Sequence, residues 1–425
     1  MDLTKNYLKI KPSEQSVDYV ENKKQFHLYS LLTEQRHPKT WNLSSSIKDD
    51  TAKGLQMLLS VDEDITRKTL ELADNIQPLE QAADAIYRAM QEGRKIYYYG
   101  CGSTGRLAKQ MESSFWRPFW RKMKKSHLWE KVKDHVPENI EDYLIGEMTG
   151  ADRALISSLE GFEDLQLIGS LQLLDRGIEK GDVVFCVTEG GETSSVIGTI
   201  LKALDQYGEL TAETSEEARR NLYFVYNNPD EVLMPFDRSR TVIENPAITK
   251  LNLTTGPQSI TGSTRMQATT SEIFVLGSVL EEALYKFLSN HLSKSELSTI
   301  GFIEGITLKK RIASFREVKE SVDKTVASLC RLTEAEAETY KRGRFATYLA
   351  SEALVTVFID ITERSPTFRL FPLDTVKSRD RRSWIQVWAK GKNTEEAWFN
   401  FLGRDFRGLE KSFYETPFRE KIEDP

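Results

Sequence analysis

The chain has 425 residues, a length that suits two or three domains and a core needing no disulfide or metal staple. Its formal net charge is −6, with 39% hydrophobic and 29% charged residues, which describes a folded, mildly acidic protein and excludes a disordered one. With no strong basic run, nucleic acid is excluded as the expected partner, because backbone phosphates are bound by clustered positive charge.

Residues 1–50 are polar and mixed. Apolar residues then recur at helical spacing through Leu55, Leu58, Leu59, Ile65 and Leu70, and again through Ile76, Leu79, Ala83, Ile86 and Met90, which predicts helices over 51–92. Ile96-Tyr97-Tyr98-Tyr99 breaks that period as a short strand. It runs into Gly100-Cys101-Gly102-Ser103-Thr104-Gly105, and a helix follows from Arg106. The unit recurs: Val183-Val184-Phe185-Cys186-Val187 reads as a buried strand, residues 188–195 as a Thr/Gly/Ser loop, and residues 196–204 as a helix. Leu222-Tyr223-Phe224-Val225-Tyr226 is a third strand, and Thr241-Val242-Ile243 is expected as a fourth. The charged stretch 206–220 reads as a surface helix or loop. Residues 291–342 read as a helical connector, and Phe345-Ala346-Thr347-Tyr348-Leu349 as another strand. Strands alternating with helices predict an α/β doubly wound parallel sheet, with ligands at the carboxyl ends of its strands.

The glycine loops fall at those ends. A Gly-rich turn entering a helix brings backbone N–H groups and the positive end of the helix dipole toward an anion, and Ser and Thr hydroxyls add donors. The 100–105 loop is not a Walker loop and is a poor dinucleotide fingerprint, so anion binding stands against a purely structural tight turn. Loop 188–195 and the run 254–266 carry the same residue types. Three such loops on one sheet point to a phosphorylated, hydroxyl-rich ligand. No His, Cys, Asp and Glu cluster has metal-ligand spacing, so neither metal nor cofactor is called for. Cys101, Cys186 and Cys330 form no CxxC pair and are expected as reduced thiols. No signal peptide and no ~20-residue apolar span is found, so a cytoplasmic location with no membrane partner is expected.

Five segments, in order, resemble the sugar isomerase (SIS) domain proteins, in the branch that holds N-acetylmuramic acid 6-phosphate etherase and glucokinase regulatory protein. Thr33-Glu34-Gln35-Arg36-His37-Pro38 is similar to the etherase TEQRNP. Gly100 and the seven residues after it are similar to GAGTSGRL. Thr149-Gly150-Ala151 with Leu159-Glu160-Gly161-Phe162-Glu163-Asp164 resembles AGG followed by VEGAED. Gly181-Asp182-Val183-Val184 resembles GDVV, and the run 255–266 resembles TGPEVITGSTRM. The resemblance implies a five-stranded SIS domain over 51–290 behind an N-terminal segment 1–50. It also implies a partial second SIS-like domain over 343–425, because Asp360-Ile361-Thr362-Glu363-Arg364-Ser365-Pro366-Thr367-Phe368 is similar to DASECPPTF. Only 57 residues follow Phe368, too few for a second five-stranded sheet.

The same resemblance implies a phosphorylated sugar held by Gly102, Ser103, Thr104, Gly105, Thr188, Gly191, Thr193, Ser263, Thr264 and Arg265. Three departures stand out. The catalytic glutamate of the etherase helix falls on Ser114, Gln267 replaces a lysine, and Glu189-Gly190-Gly191-Glu192 puts carboxylates into the second loop. The primary expectation is therefore a sugar-phosphate-binding regulator resembling glucokinase regulatory protein. The alternative is a carbon–oxygen lyase of the etherase type using Glu163 and Glu363 as an acid/base pair contributed by the two halves of the chain. The resemblance further implies a homodimer or tandem packing, and a sugar kinase as partner of the regulator.

Overall fold

The computed structural model describes residues 12–24, 27–155, 159, 161–349, 368–371 and 385–421. Helices Thr51–Ser60 and Glu63–Asp74 lead into α1, Gln77–Glu92. Leu79, Ala82, Ala83, Ile86, Ala89 and Met90 form its buried face at helical spacing. Pro78 opens the helix where a missing N–H costs nothing, and Gly93 closes it at φ 63°, a left-handed turn that favours glycine.

Five strands form one all-parallel sheet in the order β2-β1-β3-β4-β5: β1 Ile96–Gly100, β2 Leu144–Met148, β3 Val183–Thr188, β4 Leu222–Tyr226 and β5 Thr249–Asn252. Crossover helices cover both faces, so the strands are buried on both sides and carry almost no alternation. On one face the register places Tyr98 opposite Phe185 and Phe185 opposite Tyr223. Their rings stack at 4.8 and 4.7 Å, a ladder that ties three strands together across the core. That face is covered by α1, by α2 (Gly102–Gln110) and by the 23-residue α5 (Gln267–Ser289). On the other face Tyr97, Tyr99, Cys186, Phe224 and Tyr226 meet α3 (Gln166–Asp175) and α4 (Ser194–Leu204). The chain leaves β1 in one direction and β3 in the other, so the switch point lies between the carboxyl ends of β1 and β3.

Two local readings are corrected. Thr241-Val242-Ile243 is the end of a helix, Asp237–Ile243, and the fifth strand lies at Thr249–Asn252. The β-branched triplet buries Val242 and Ile243 on one side of that helix, so packing overrides strand propensity. Strand β2, Leu144-Ile145-Gly146-Glu147-Met148, carries a glycine and a charge in its centre, and its sequence does not announce a buried strand. The helical segments expected over 51–92 and 291–342 are present, the latter as Lys294–Thr299, Leu308–Ala313, Phe315–Asp323 and Val326–Lys341. The charged stretch near 212 is the helix Ala212–Arg219.

Farther along, β6 Ala346–Leu349, β7 Phe368–Phe371 and β8 Ile385–Trp388 form a separate three-stranded parallel sheet in the order β6-β8-β7. Glu363 and the stretch resembling DASECPPTF up to residue 367 lie outside the described residues. After helix Thr394–Leu402, the chain from Gly403 returns to the first sheet.

α2 seats directly on β2. A Cβ built at Gly146 would stand 2.0 Å from the Ala108 carbonyl oxygen, a backbone atom with nowhere to go. Gly146→Ala is expected to destabilise the fold by ~1–3 kcal/mol through forced separation of strand and helix, as a lowered midpoint in denaturant titration.

Candidate functional site

The three loops meet over the β1/β3 switch point, and each is built from its own hydrogen bonds. In the first, Cys101 N–H donates to Thr104 Oγ1 at 3.0 Å and Thr104 Oγ1 donates to the Cys101 carbonyl at 2.8 Å. Thr104 is fully buried by this cap, so its hydroxyl shapes the turn. Gly102 takes φ 58° at the first residue of α2, and Ser103 is buried beside it. Gly105 lets the helix close on β2, since a Cβ there would lie 2.4 Å from the Met148 side chain. In the second loop Thr188 and Thr193 share a hydroxyl hydrogen bond of 2.9 Å, and Gly191 N–H donates to Thr188 Oγ1 at 3.2 Å. In the third, Ser263, Thr264 and Arg265 are half-buried just before α5.

Side-chain amides brace these loops. Gln267 accepts from Ser259 N–H at 2.8 Å and donates to Asp62 at 2.7 Å. Gln258 accepts from Ala268 N–H at 2.9 Å, in the first turn of α5. Asn228 accepts from Leu32 N–H at 2.7 Å and donates to the Thr33 hydroxyl and the Gly190 carbonyl at 3.1 and 2.8 Å. The segment 33–38 is thereby stitched between the second and third loops, with Arg36 bridging to Gln258. The sequence marks Gln267 only as a departure from the resemblance and Asn228 only by its place just after the strand Leu222–Tyr226. An amide pair after a buried strand was the signal available for the latter.

Carboxylates converge on the same place. Burial, reinforced by the charges of Glu163 and Glu189, pushes the Cys101 thiol up to about 12, so this cysteine is a poor nucleophile. Burial also raises Glu192, helped by Glu34 and Glu163, and Glu192 Oε2 is buried without a hydrogen-bond partner. Glu163 itself is exposed on the one-turn helix Phe162–Asp164. Beneath the loops, Glu272 on α5 accepts from Asn227 Nδ2 at 2.8 Å, and Glu189 accepts from the Thr269 hydroxyl at 2.8 Å. Burial and the Glu189 charge hold Glu272 well above the usual carboxylate range.

On the β2 side, α2 and the turn that continues it carry a buried ion network. Lys109 Nζ lies 2.7 Å from Asp152 and 3.2 Å from Glu147. Arg404, returning from the C-terminal stretch, donates to Glu112 at 2.9 Å and to Asp152 at 2.7 Å, while Arg407 reaches Glu112 at 3.0 Å. Arg117 pairs with Glu112 and Asp142, and Arg176 with Glu147 and Asp175. Burial alone would raise Glu112, but Arg404, Arg407 and Lys109 outweigh it and hold this carboxyl at about 2. Lys109 and Arg404 likewise hold Asp152 well below its ordinary value against its burial. Nothing in the sequence joined residues 404 and 407 to residue 112.

Ten of the expected site residues, Gly102 to Gly105, Thr188, Gly191, Thr193 and Ser263 to Arg265, lie on the three loops, and Glu163 is near enough to the first for its charge to act on Cys101. Glu363 lies outside the described residues. Among the described residues no three His, Cys, Asp or Glu side chains are grouped to hold a metal ion, and no helix is long and apolar enough to cross a membrane.

Arg404→Ala strips two buried carboxylates of a partner and is expected to cost ~3–5 kcal/mol in denaturant unfolding. Because Glu112 and Asp152 titrate lower in the folded chain than in the unfolded one, the stability they confer is complete above about pH 4.5. It is lost as pH falls toward about 2, and an acid titration followed by circular dichroism should show the loss there, at higher pH in Arg404→Ala. Glu272 has the opposite sign: its raised pKa makes the fold less stable as pH rises above ~4.5. Glu272→Gln should therefore raise stability at pH 7 and flatten its decline with pH, read as denaturant midpoints at pH 5 and pH 7.

No family model matches the chain. Over 261 residues it is 26% identical to the N-acetylmuramic acid 6-phosphate etherase of Salmonella agona (strain SL483), spanning 61% of this chain and 72% of the relative. The etherase of Salmonella typhi matches to the same extent. The etherase of Cronobacter sakazakii (strain ATCC BAA-894) is 27% identical over 260 residues, with the same shares of both chains. The chain is thus homologous to proteins of that name, and its five-stranded parallel sheet agrees with an SIS-like fold.

Proposed function

We propose that this chain binds a phosphorylated amino-sugar ether across the three loops and cleaves its carbon–oxygen bond. The observation that carries the reading is that Glu163 lies near enough to both the Cys101 thiol and Glu192 for its charge to act on each, in a chain homologous to etherases. The phosphate is placed at the first turn of α2, where Gly102, Ser103 and Gly105 allow close backbone approach and the helix dipole favours an anion. Ser263, Thr264 and Arg265 close over it from the third loop, and Thr188, Gly191 and Thr193 frame the sugar from the second.

The chemistry needs two carboxyl groups in different protonation states. Glu163, exposed to solvent, takes the proton from the carbon beside the sugar's carbonyl. The electron pair forms a carbon–carbon double bond and expels the ether oxygen, which takes a proton from an acid. Glu192, which burial favours in its neutral form, is the described group suited to donate it, and Glu363 is the candidate from the second half of the chain. The binding-only reading is favoured by one specific observation: Ser114, half-buried on the turn Met111–Trp116, stands where the first etherase glutamate was expected.

The test is lactate release from N-acetylmuramic acid 6-phosphate. Glu163→Gln is expected to lower turnover by ~10²–10⁴-fold with binding retained, and comparison of Glu192→Gln with Glu363→Gln identifies the acid. Saturable binding without lactate release would favour a sugar-phosphate sensor instead. Absence of binding would overturn both readings.

A further inference from the structure

A cavity of about 660 Å³ lies at the end of the sheet opposite the three loops, under the amino ends of β4 and β5. It is within the size range of small-molecule sites. Arg219 and Arg220 stand just before β4, Lys250 is in β5, and Arg88 reaches in from α1. Two carboxylates share the lining, and both are committed. Asp84 is held by Lys286 at 2.8 Å, and Glu216 is shared by Arg219 and Arg220. Arg88 donates to the Arg220 carbonyl at 3.4 Å and Lys250 to the Asn245 carbonyl at 2.7 Å, and among the described residues neither forms an ion pair with a carboxylate. Among the described residues this leaves two cations without an ion-pair contact, Lys250 with Asp230 as its nearest opposing charge, and two more sharing one carboxylate, in a chain of net charge −6. Burial, with a smaller contribution from Arg219, pulls the Lys250 pKa down against the opposing charge of Asp230, so its charge is held at a cost that an anion would relieve. Pro78, Pro246 and Ile248 supply an apolar wall beside the cations.

We propose that this cavity binds a small phosphate ester, its dianion held by Arg88 and Lys250 and its body against the Pro78, Pro246 and Ile248 wall. Guanidinium and ammonium donors converging from a helix and a strand suit a phosphoryl group, which accepts several charge-assisted hydrogen bonds at once. The strands are about five residues long, so the cavity lies roughly 15 Å from the three loops and leaves them unobstructed. A ligand here would act on the loops through β4 and β5 rather than by competing for them. The inference does not rest on the function proposed for the loops.

Isothermal titration of the full chain with inorganic phosphate, AMP and glucose 6-phosphate tests it. The expected result is saturable binding of at least one ester, tighter than inorganic phosphate and weakened by added salt. It should be at least tenfold weaker in Arg88→Ala/Lys250→Ala and retained in Ser103→Ala/Thr104→Ala. Tighter AMP than glucose 6-phosphate would identify a planar body against the apolar wall, and the reverse a sugar; both support the site. Arg88→Gln/Lys250→Gln provides a second neutral pair, and thermal unfolding confirms that the variants fold. Unchanged affinity in both neutral pairs, binding of no ester, or binding abolished by the Ser103→Ala/Thr104→Ala change alone would overturn the proposal.

Discussion

The structure hinges on a charge network that is almost wholly dry. Lys109, Glu112, Glu147, Asp152 and Arg404 are each at most 7% exposed, and each takes its charge into the interior only because an opposite charge meets it there. A buried ion pair adds little net stability over an apolar alternative, but losing one member leaves a charge with nowhere to go. The network therefore acts as a set of mutual requirements. Glu147 fixes β2, Lys109 and Glu112 fix the helix that carries the glycine loop, and Asp152 fixes the loop after β2. Arg404 and Arg407 draw the end of the chain onto the same spot, where Asp152 N–H also donates to the Arg407 carbonyl at 3.1 Å. Two stretches almost 300 residues apart are bound to one helix turn by this constraint.

The consequence for the candidate site is rigidity from below and from the side. α2 cannot shift on β2 without breaking the network or the close approach at Gly146, so the glycine loop above it is held in place. Side-chain amides help to position the other two loops. Asn228 and Gln267 each hold two separate stretches of chain, and both work because an amide offers donor and acceptor at once. A lysine at position 267 would donate but could not accept from Ser259 N–H. The glutamine thus belongs to the loop's architecture in this chain.

Carboxylates gather around the glycine loop of α2, and burial does not act on them alike. The pKa values of Glu192 and Glu272 are both raised, chiefly by burial. Glu163 is exposed and solvated instead. Burial thus sets Glu192 and Glu272 apart from the exposed Glu163, a difference on which the proposed acid–base pair would draw.

The sequence alone determined the α/β class, the strand–loop–helix units at 96–110 and 183–204, and the residues that line the three loops. All of these follow from local signals: period, β-branched runs, and glycines where a turn must reach positive φ. Strand β2 escaped notice because Gly146 and Glu147 are explained only by Ala108 on one side and by Lys109 and Arg176 on the other. Thr241-Val242-Ile243 has the propensity of a strand but ends a helix, because burial rather than propensity sets its conformation. The direction of the Thr104 and Thr188 hydroxyls into their own loops, the pairing of Glu112 with Arg404, and the cationic cavity beneath β4 and β5 were decided only by tertiary structure. Each depends on residues brought together from distant points of the chain, and a one-dimensional pattern holds no record of which charges will share a dry interior.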